Sequence, residues 1–363
     1  MLGDSVFKNR FSSVKKLMEK EELNAFIVSG GENLYYLTNF ARGLALLIFQ
    51  DAEPILFVPK LEYEDAVENS RIVRVMSVER SADIPEYLLS TLKEHGILHG
   101  KIGVEENYLS IPLYMELTSK GDTYNFVFAS KIIRQLRSVK DKNEIELIRR
   151  ALQIAEHGMK AAIDAVDDGL REIDIAAEAE YAMRKAGAEW FSFETIVASG
   201  KRSAFPHGFS SQKIVRNGEL VVIDIGAKYC GYCSDITRTV VVGSSRKDYD
   251  EMFNCIVSAI ESALETIQEG VKASDVDAAA RRVISERGYG EYFTHGLGHG
   301  VGLNVHEGPR VSSQSSDILQ AGNVITIEPG IYIPEIGGVR IEEMVVVTKT
   351  KYELLNKLNR ILG

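Results

Sequence analysis

The chain has 363 residues, 45% of them hydrophobic and 26% charged, enough to bury more than one core and unlike a disordered or fibrous composition. A formal net charge of -10 argues against a nucleic-acid surface, which needs clustered Lys and Arg, and gives an anionic membrane nothing to hold. Three cysteines (Cys230, Cys233, Cys255) make a disulfide framework a poor expectation, no apolar run reaches membrane-spanning length, and the first residues do not resemble a secretory leader, so the expected location is cytoplasmic.

In the first third, Phe11, Val14, Leu17 and Met18 recur at helical spacing. Short apolar runs follow at 25–29, 44–49 and 54–58, and again from Arg71, Lys101 and Tyr124, with a helical pattern starting at Ile84 between them. They predict an α/β domain over residues 1–130. His95 and His99 have the i, i+4 spacing of a metal pair, but Gly96 and Gly100 mark a helix end, so both read as exposed turn residues. A charged link at 137–142 leads to a helix in which Ile145, Ile148, Leu152 and Ala155 recur, with Glu144 and Glu146 near its positive end. The domain boundary is expected between positions 130 and 141, leaving 131–363 as the second domain. Further helical patterns cover 171–187, 248–268 and 274–287, with strands between them.

LVVIDIGAKYCGYCSDITRTVVV reads as two β-branched strands around a turn at Tyr229, Cys230 and Gly231, which sets Asp224 roughly across from Asp235. Cys230 and Cys233 have CxxC spacing but no second pair, so neither zinc nor redox chemistry is assigned to them. VITIEPGIYIPEIGGVRIEEMVVV makes a second hairpin about a turn at 334–338, placing Glu328 across from Glu342. Four carboxylates interrupt apolar strands, a costly place for negative charge unless a cation sits beside them. In THGLGHGVGLNVHEGP, the closely spaced glycines make a helix improbable; an extended strand aligns His295 with His299, and its glycines admit close approach of backbone or ligand. Four carboxylates and one imidazole suit a pair of divalent transition metals of the manganese, cobalt or iron type better than calcium or structural zinc.

In order and spacing, IDIG at Ile223, SDITRT at Ser234, HGLGHGVGLNVHE at His295, IEPGIY at Ile327 and VRIEE at Val339 resemble the motifs of the pita-bread metallopeptidases, most closely Xaa-Pro dipeptidases (prolidases) and aminopeptidase P. SVKDKNEIELIRRA resembles the start of the catalytic domain of that family, and the first domain resembles its creatinase-like N-terminal domain. The resemblance implies an α/β (α+β) fold, a creatinase-like domain followed by a pita-bread domain. It implies that Asp224, Asp235, His299, Glu328 and Glu342 hold two divalent ions per subunit, Mn²⁺ or Co²⁺ first and Fe²⁺ or Zn²⁺ as alternatives. Asp235 and Glu342 would bridge, Asp224 would complete one site, and His299 and Glu328 the other. His207 in ASGKRSAFPHG, His295 and His306 match active-site histidines, and Tyr332 matches a tyrosine near the site. Arg340, two residues before Glu342, would orient a carboxylate, and Arg310 in HEGPRVS would clamp a substrate carboxylate; with Tyr332 these are the expected substrate-binding residues.

The implied reaction is hydrolysis of an X-Pro bond, a tertiary amide without an N–H, by water activated at the ions. Glu328 would carry the water's proton to the leaving proline nitrogen, and His306 would steady the oxyanion. Prolidase activity on dipeptides is the first expectation and aminopeptidase P activity on longer peptides the alternative. A metal-free binding module of the same fold is the reading from another class. The resemblance also implies a homodimer.

Overall fold

The computed structural model describes residues 3–361, in two compact units that divide between Leu136 and Arg137. In the first, α1 (Asp4–Lys20) is followed by β1 (Ala25–Val28), α2 (Gly31–Thr38), β2 (Ala45–Phe49), β3 (Ile55–Pro59), α3 (Tyr63–Asn69), β4 (Arg74–Val78), α4 (Ile84–Glu94), β5 (Gly100–Val104), α5 (Ile111–Lys120) and β6 (Tyr124–Phe128). Strands β1 and β2 are buried along their whole length, as expected for central strands covered on both faces. The six strands form one mixed sheet in the order β4-β3-β2-β1-β5-β6. Antiparallel pairs β1/β2 and β2/β3 fill its centre, while α3 and α5 serve as crossovers for the parallel pairs β3/β4 and β5/β6. Leu47, Phe57, Leu88, Ile102 and Leu117 close one core. His95 ends α4 with its ring stacked on Phe49, 4.4 Å between centroids, so the expected turn position is also a packing position.

A connecting helix, α6 (Lys131–Ser138), precedes α7 (Lys142–Ala165), whose Asp141 and Glu144 form a capping box. Then come α8 (Glu172–Ala186), β7 (Trp190–Phe191), β8 (Ile196–Ser199), β9 (Leu220–Ile225), β10 (Ala227–Tyr229), β11 (Tyr232–Cys233) and β12 (Ile236–Val241). The chain continues through α9 (Lys247–Thr266), α10 (Ala273–Glu286), β13 (Gly298–Gly300), β14 (Glu307–Val311), β15 (Val324–Ile327), β16 (Gly330–Ile333), β17 (Gly337–Arg340), β18 (Glu343–Val347) and β19 (Tyr352–Leu354). Helices α9 and α10 bury Ile256, Ile260, Val276 and Ile284 in a core shared with Ile325, Ile331, Val339 and Val345 of the strands.

The strands form two long bent hairpins. In one, β9 and β10 fold back on β11 and β12 through Cys230 and Gly231, both with positive φ (45° and 77°), a two-residue turn. The turn is one residue shorter than the sequence reading assumed, and the register shifts accordingly. Asp224 faces Thr237, and Asp235 lies two residues before it, next to the start of β12. Both aspartates still share a face, because Asp235 and Thr237 are two residues apart. In the other hairpin, β15 pairs with β18 and β16 with β17 in one continuous register, so Glu328 and Glu342 face each other across the break.

The glycine-rich segment departs from expectation. Between Thr294 and His306 only Gly298–Gly300 is a strand; His295 lies outside it in an irregular stretch. Inside the strand the glycines are required: a Cβ on Gly298 would lie 2.0 Å from the Thr326 carbonyl oxygen and one on Gly300 2.2 Å from that of Gly308; the ladder to β14 then shifts register between His299 and Gly300.

Candidate metal centre

The five expected ligands come from three hairpin or strand systems, stitched together by backbone groups that leave their own ladders. Glu342 N–H donates to Thr237 O (3.2 Å), joining the two long hairpins, and Glu328 N–H donates to Leu297 O (2.8 Å), bringing in the histidine strand. Thr239 Oγ1 donates to Arg340 O (2.8 Å) and accepts from Arg340 N–H (3.0 Å), closing the same seam. Three of the five, Asp235, Glu328 and Glu342, sit where a strand is interrupted, which frees the backbone to cross over.

The result is a cluster of donors. Atoms of Asp224, Asp235 and Glu342 lie within 4.8 Å of one another, as do those of His299, Glu328 and Glu342, and those of Asp235, His299 and His306. Glu342 belongs to two of these groups and joins the two aspartates to the His299/Glu328 pair. Three of the four carboxylates are anchored from behind. Arg340 Nη2 donates to Asp224 Oδ2 (2.7 Å), Thr237 Oγ1 to Glu342 Oε2 (3.0 Å), and Thr326 Oγ1 to Glu328 Oε1 (3.2 Å). The other oxygens of two of them, Asp224 Oδ1 and Glu342 Oε1, are buried and without a hydrogen-bond partner. His299 Nδ1–H donates to Gly300 O (3.1 Å), which fixes the tautomer and presents Nε2 to Glu328 Oε1 at 3.2 Å and Asp235 Oδ2 at 3.6 Å.

The electrostatics mark a site short of positive charge. Burial pushes the Asp235 carboxyl well above its usual range, and Glu342, Asp224 and Glu328 push the same way; Glu342 is raised by burial, then by Glu328 and Asp224. Glu328 behaves oppositely: burial resists ionisation, but the hydrogen bond and charge of His299 hold it down at about 2. His299 is raised in turn, its own burial outweighed by Glu328. A ligand nitrogen must be unprotonated, so a cation arriving there displaces that proton.

Around this cluster Arg340, only 3% exposed, is the organiser. Besides Asp224 it reaches Thr237 Oγ1 (3.2 Å), the Pro206 carbonyl oxygen (3.3 Å) and Tyr332 OH (2.8 Å). Burial raises the Tyr332 hydroxyl to about 12, so it stays a neutral donor, and it lies 2.9 Å from His295 Nε2. His295 Nδ1 is 2.8 Å from Gly296 O, and burial lowers its pKa. These contacts make it a neutral imidazole with Nε2 accepting from Tyr332. His306 packs edge-to-face on His299, ring centroids 4.3 Å apart; burial lowers its pKa, with His299 and His207 adding to the effect. His207 is exposed on the loop between β8 and β9. Arg310, also exposed, pairs with His299 across β13 and β14, and directly opposed residues project to the same face.

Residues 146–349 match the model of metallopeptidase family M24, more than half of the chain. The chain belongs to that family. Residues 10–139 match the creatinase/prolidase N-terminal domain. The chain is 41% identical to the Xaa-Pro dipeptidase of Pyrococcus horikoshii over 362 residues, covering 98% of this chain and 99% of the relative. The solved prolidase of that organism superposes with a TM-score of 0.90 at 40% identity, over 97% of this chain and 99% of that one. The X-Pro aminopeptidase of Thermotoga maritima superposes with a TM-score of 0.86 at 37% identity, over 95% and 99%. The creatinase-like plus pita-bread architecture expected from the motifs is therefore the fold of this chain.

As an M24 metallopeptidase the chain is expected to use divalent metal ions, and the residues present fit them. Two buried carboxylate oxygens have no protein donor, and an oxygen-rich set with one imidazole matches divalent transition metals. Sequence reasoning missed Thr237 and Thr326, the hydroxyls that orient Glu342 and Glu328. A faint signal existed: each lies two residues from an expected ligand, and so on the same strand face.

Proposed function

We propose that this M24 member is a Xaa-Pro dipeptidase carrying two divalent ions, manganese or cobalt first, iron or zinc as alternatives. The observation that carries the reading is the pair of unpartnered, buried oxygens of Asp224 and Glu342 within a set of five ligand side chains. Asp224, Asp235, His299, Glu328 and Glu342 would hold the ions. When bound, the ions supply Lewis acidity and activate water near neutral pH. The chain's residues do the rest. Glu328 accepts the water's proton and returns it to the proline nitrogen, which must be protonated to leave as an amine. His306, neutral and beside His299, donates to the developing oxyanion. His207 and His295 line the cleft, His295 held by Tyr332. Arg340 and Tyr332 orient Asp224 and the substrate's surroundings.

Arg310 is assigned to the free carboxylate of a dipeptide, supported by its place on the same face as His299 and by the bidentate geometry of a guanidinium. This assignment separates a dipeptidase from aminopeptidase P. The reading takes 1–130 as the N-terminal domain and 131–363 as the catalytic one, a homodimer as the assembly, and neither nucleic acid nor a membrane as a partner. No described helix is long and apolar enough to cross a membrane. A cytoplasmic location rests on the sparse cysteines, all three of them free.

The test is proline release from Met-Pro, Ala-Pro, Ala-Pro-Ala and a longer X-Pro peptide, after chelation and after restoring Mn²⁺ or Co²⁺. Metal-dependent cleavage confined to dipeptides is the expected result. Cleavage of the longer peptides transfers the assignment to aminopeptidase P, and no cleavage with any metal leaves a binding module.

A further inference from the structure

His207 stands on a loop with no regular strand to hold it, yet a histidine that acts on substrate must be held to a fraction of an ångström. What holds the loop is a carboxylate the proposed reaction does not use. Glu172, the first residue of α8, is fully buried (0% exposed). Its Oε1 accepts from Ser199 N–H (2.7 Å) and Ser199 Oγ (2.9 Å) at the end of β8, where the loop leaves. Its Oε2 accepts from Ser211 Oγ (2.5 Å), where the loop returns. The carboxylate thus spans the neck of the loop, alongside Ile173 N–H donating to Ser211 O (3.1 Å) and Ser210 Oγ to Thr195 O (2.8 Å). Arg202, inside the loop, donates from Nε to both oxygens (3.3 and 3.1 Å) and from Nη2 to Phe209 O (2.6 Å), across the turn that carries His207. Within the turn Phe205 N–H donates to Arg202 O, Gly208 N–H to Phe205 O and Phe209 N–H to His207 O. On its far side Arg340 reaches Pro206 O and Ser203 Oγ accepts from Gly338 N–H (2.8 Å).

We propose that Glu172 and Arg202 form a clasp that positions His207, so that the loop 200–211 is a fixed wall of the active site and not a free segment. The inference rests on the proposed function for the role of His207, but the clasp itself does not. Arg202 acts through His207 and touches neither metal ligand nor substrate. A buried carboxylate satisfied by a neck serine at each end and by one guanidinium is a stable device while complete and a costly one when broken.

The experiment uses Arg202→Ala, at a side chain one-third exposed and so tolerant of truncation, alongside Arg202→Lys, which keeps the charge but cannot reach Glu172 and Phe209 together. Hydrogen exchange on chelated protein is read at the amides of Phe205, Gly208 and Phe209. The clasp predicts exchange faster by roughly 10-fold or more in both variants, with β9 and β12 unchanged. Unchanged exchange in the loop overturns it, whatever the enzyme's substrate. Ala-Pro turnover is then measured in a double-mutant cycle with His207→Ala. Positioning predicts that Arg202→Ala lowers kcat/KM by roughly 10- to 100-fold in the wild-type background and by less than about twofold when His207 is absent. Equal losses in both backgrounds overturn the positioning role and leave a structural one. If the wild-type protein cleaves no X-Pro peptide, it is the proposed function that falls, and the exchange result still decides the clasp.

Discussion

Both units bury carboxylates in apolar surroundings, and those of the candidate metal centre are treated unlike the one in the first unit. In the first unit Glu105 is 0% exposed and accepts at Oε2 from Ser29 N–H (2.7 Å) and Gly30 N–H (3.0 Å), and at Oε1 from Asn33 Nδ2 (2.5 Å). Both of its oxygens are occupied, and it sits at the positive end of α2, where a negative charge is favoured. In the second unit Asp224 and Glu342 are each satisfied at one oxygen and bare at the other, with the bare oxygens pointing into a cluster of further carboxylates. A buried acid with all its lone pairs answered is architecture. One answered from behind and left open within reach of further ligand-type side chains can take a cation; Glu343, also bare at one oxygen, has Arg238 and Arg360 beside it instead.

That contrast can be broken by experiment, beginning where the effect should be largest. Glu328→Gln is expected to lower kcat on Ala-Pro by roughly 10²- to 10⁴-fold while leaving the circular dichroism spectrum intact. Near-normal turnover would remove Glu328 from the proton path. Glu105→Ala should do the reverse, costing roughly 3 kcal/mol in urea denaturation because the donors at the start of α2 lose their acceptor, with little effect on Kd for Mn²⁺. A loss of metal affinity as large as the loss of stability would mean the two kinds of carboxylate had been wrongly separated. Next, Mn²⁺ at about 100 times its Kd should stabilise the wild-type chain by about 2.7 kcal/mol. The gain should survive Glu105→Gln and vanish in Glu342→Gln; its survival in the latter would show that Glu342 is not a ligand.

Why the site was legible and parts of the fold were not follows from the same chemistry. Asp224, Asp235, Glu328 and Glu342 each break an apolar strand, and a charge in such a place announces itself in one dimension. The hairpin of Glu328 and Glu342 was read in register. The hairpin of the aspartates is offset by two residues, Asp224 facing Thr237 and not Asp235; Cys230 shares the positive φ of Gly231, and a non-glycine residue at that angle leaves no trace in the sequence. Helices α2, α3 and α5 went unread: they are short, and α2 opens on Gly31, a residue that favours no helix. The clasp of Glu172 was invisible for another reason. It joins residues 27 to 39 positions apart through donors of ordinary type, and only the folded chain says which serines meet which acid.

Glu307, its side chain 11% exposed, lies between the two extremes and gives the finest test. Glu307 follows His306 directly, and its oxygens meet Arg137 Nη2 (2.5 Å) and Lys140 Nζ (2.7 Å), while Arg137 also donates to Asn304 Oδ1 (2.5 Å). The carboxylate turns back over its own loop so closely that a Cβ on Gly302 would lie 2.3 Å from it. Burial alone would raise its pKa, but Lys140 and then Arg137 outweigh burial and hold it below the usual value. The folded protein therefore binds this proton less readily than the unfolded chain. The stabilisation is fully present above the unfolded value, about 4.3, and is lost as pH falls through the lower folded value, each unit of depression corresponding to about 1.4 kcal/mol. Glu307→Gln should thus weaken the fold at pH 7 and lose part of its difference from wild type below about pH 4. Urea midpoints measured from pH 7 down to pH 3 decide it: curves that run parallel over that range would mean that Glu307 is held by shape and not by its two cations, and the loop bearing His306 would have to be fixed by something else.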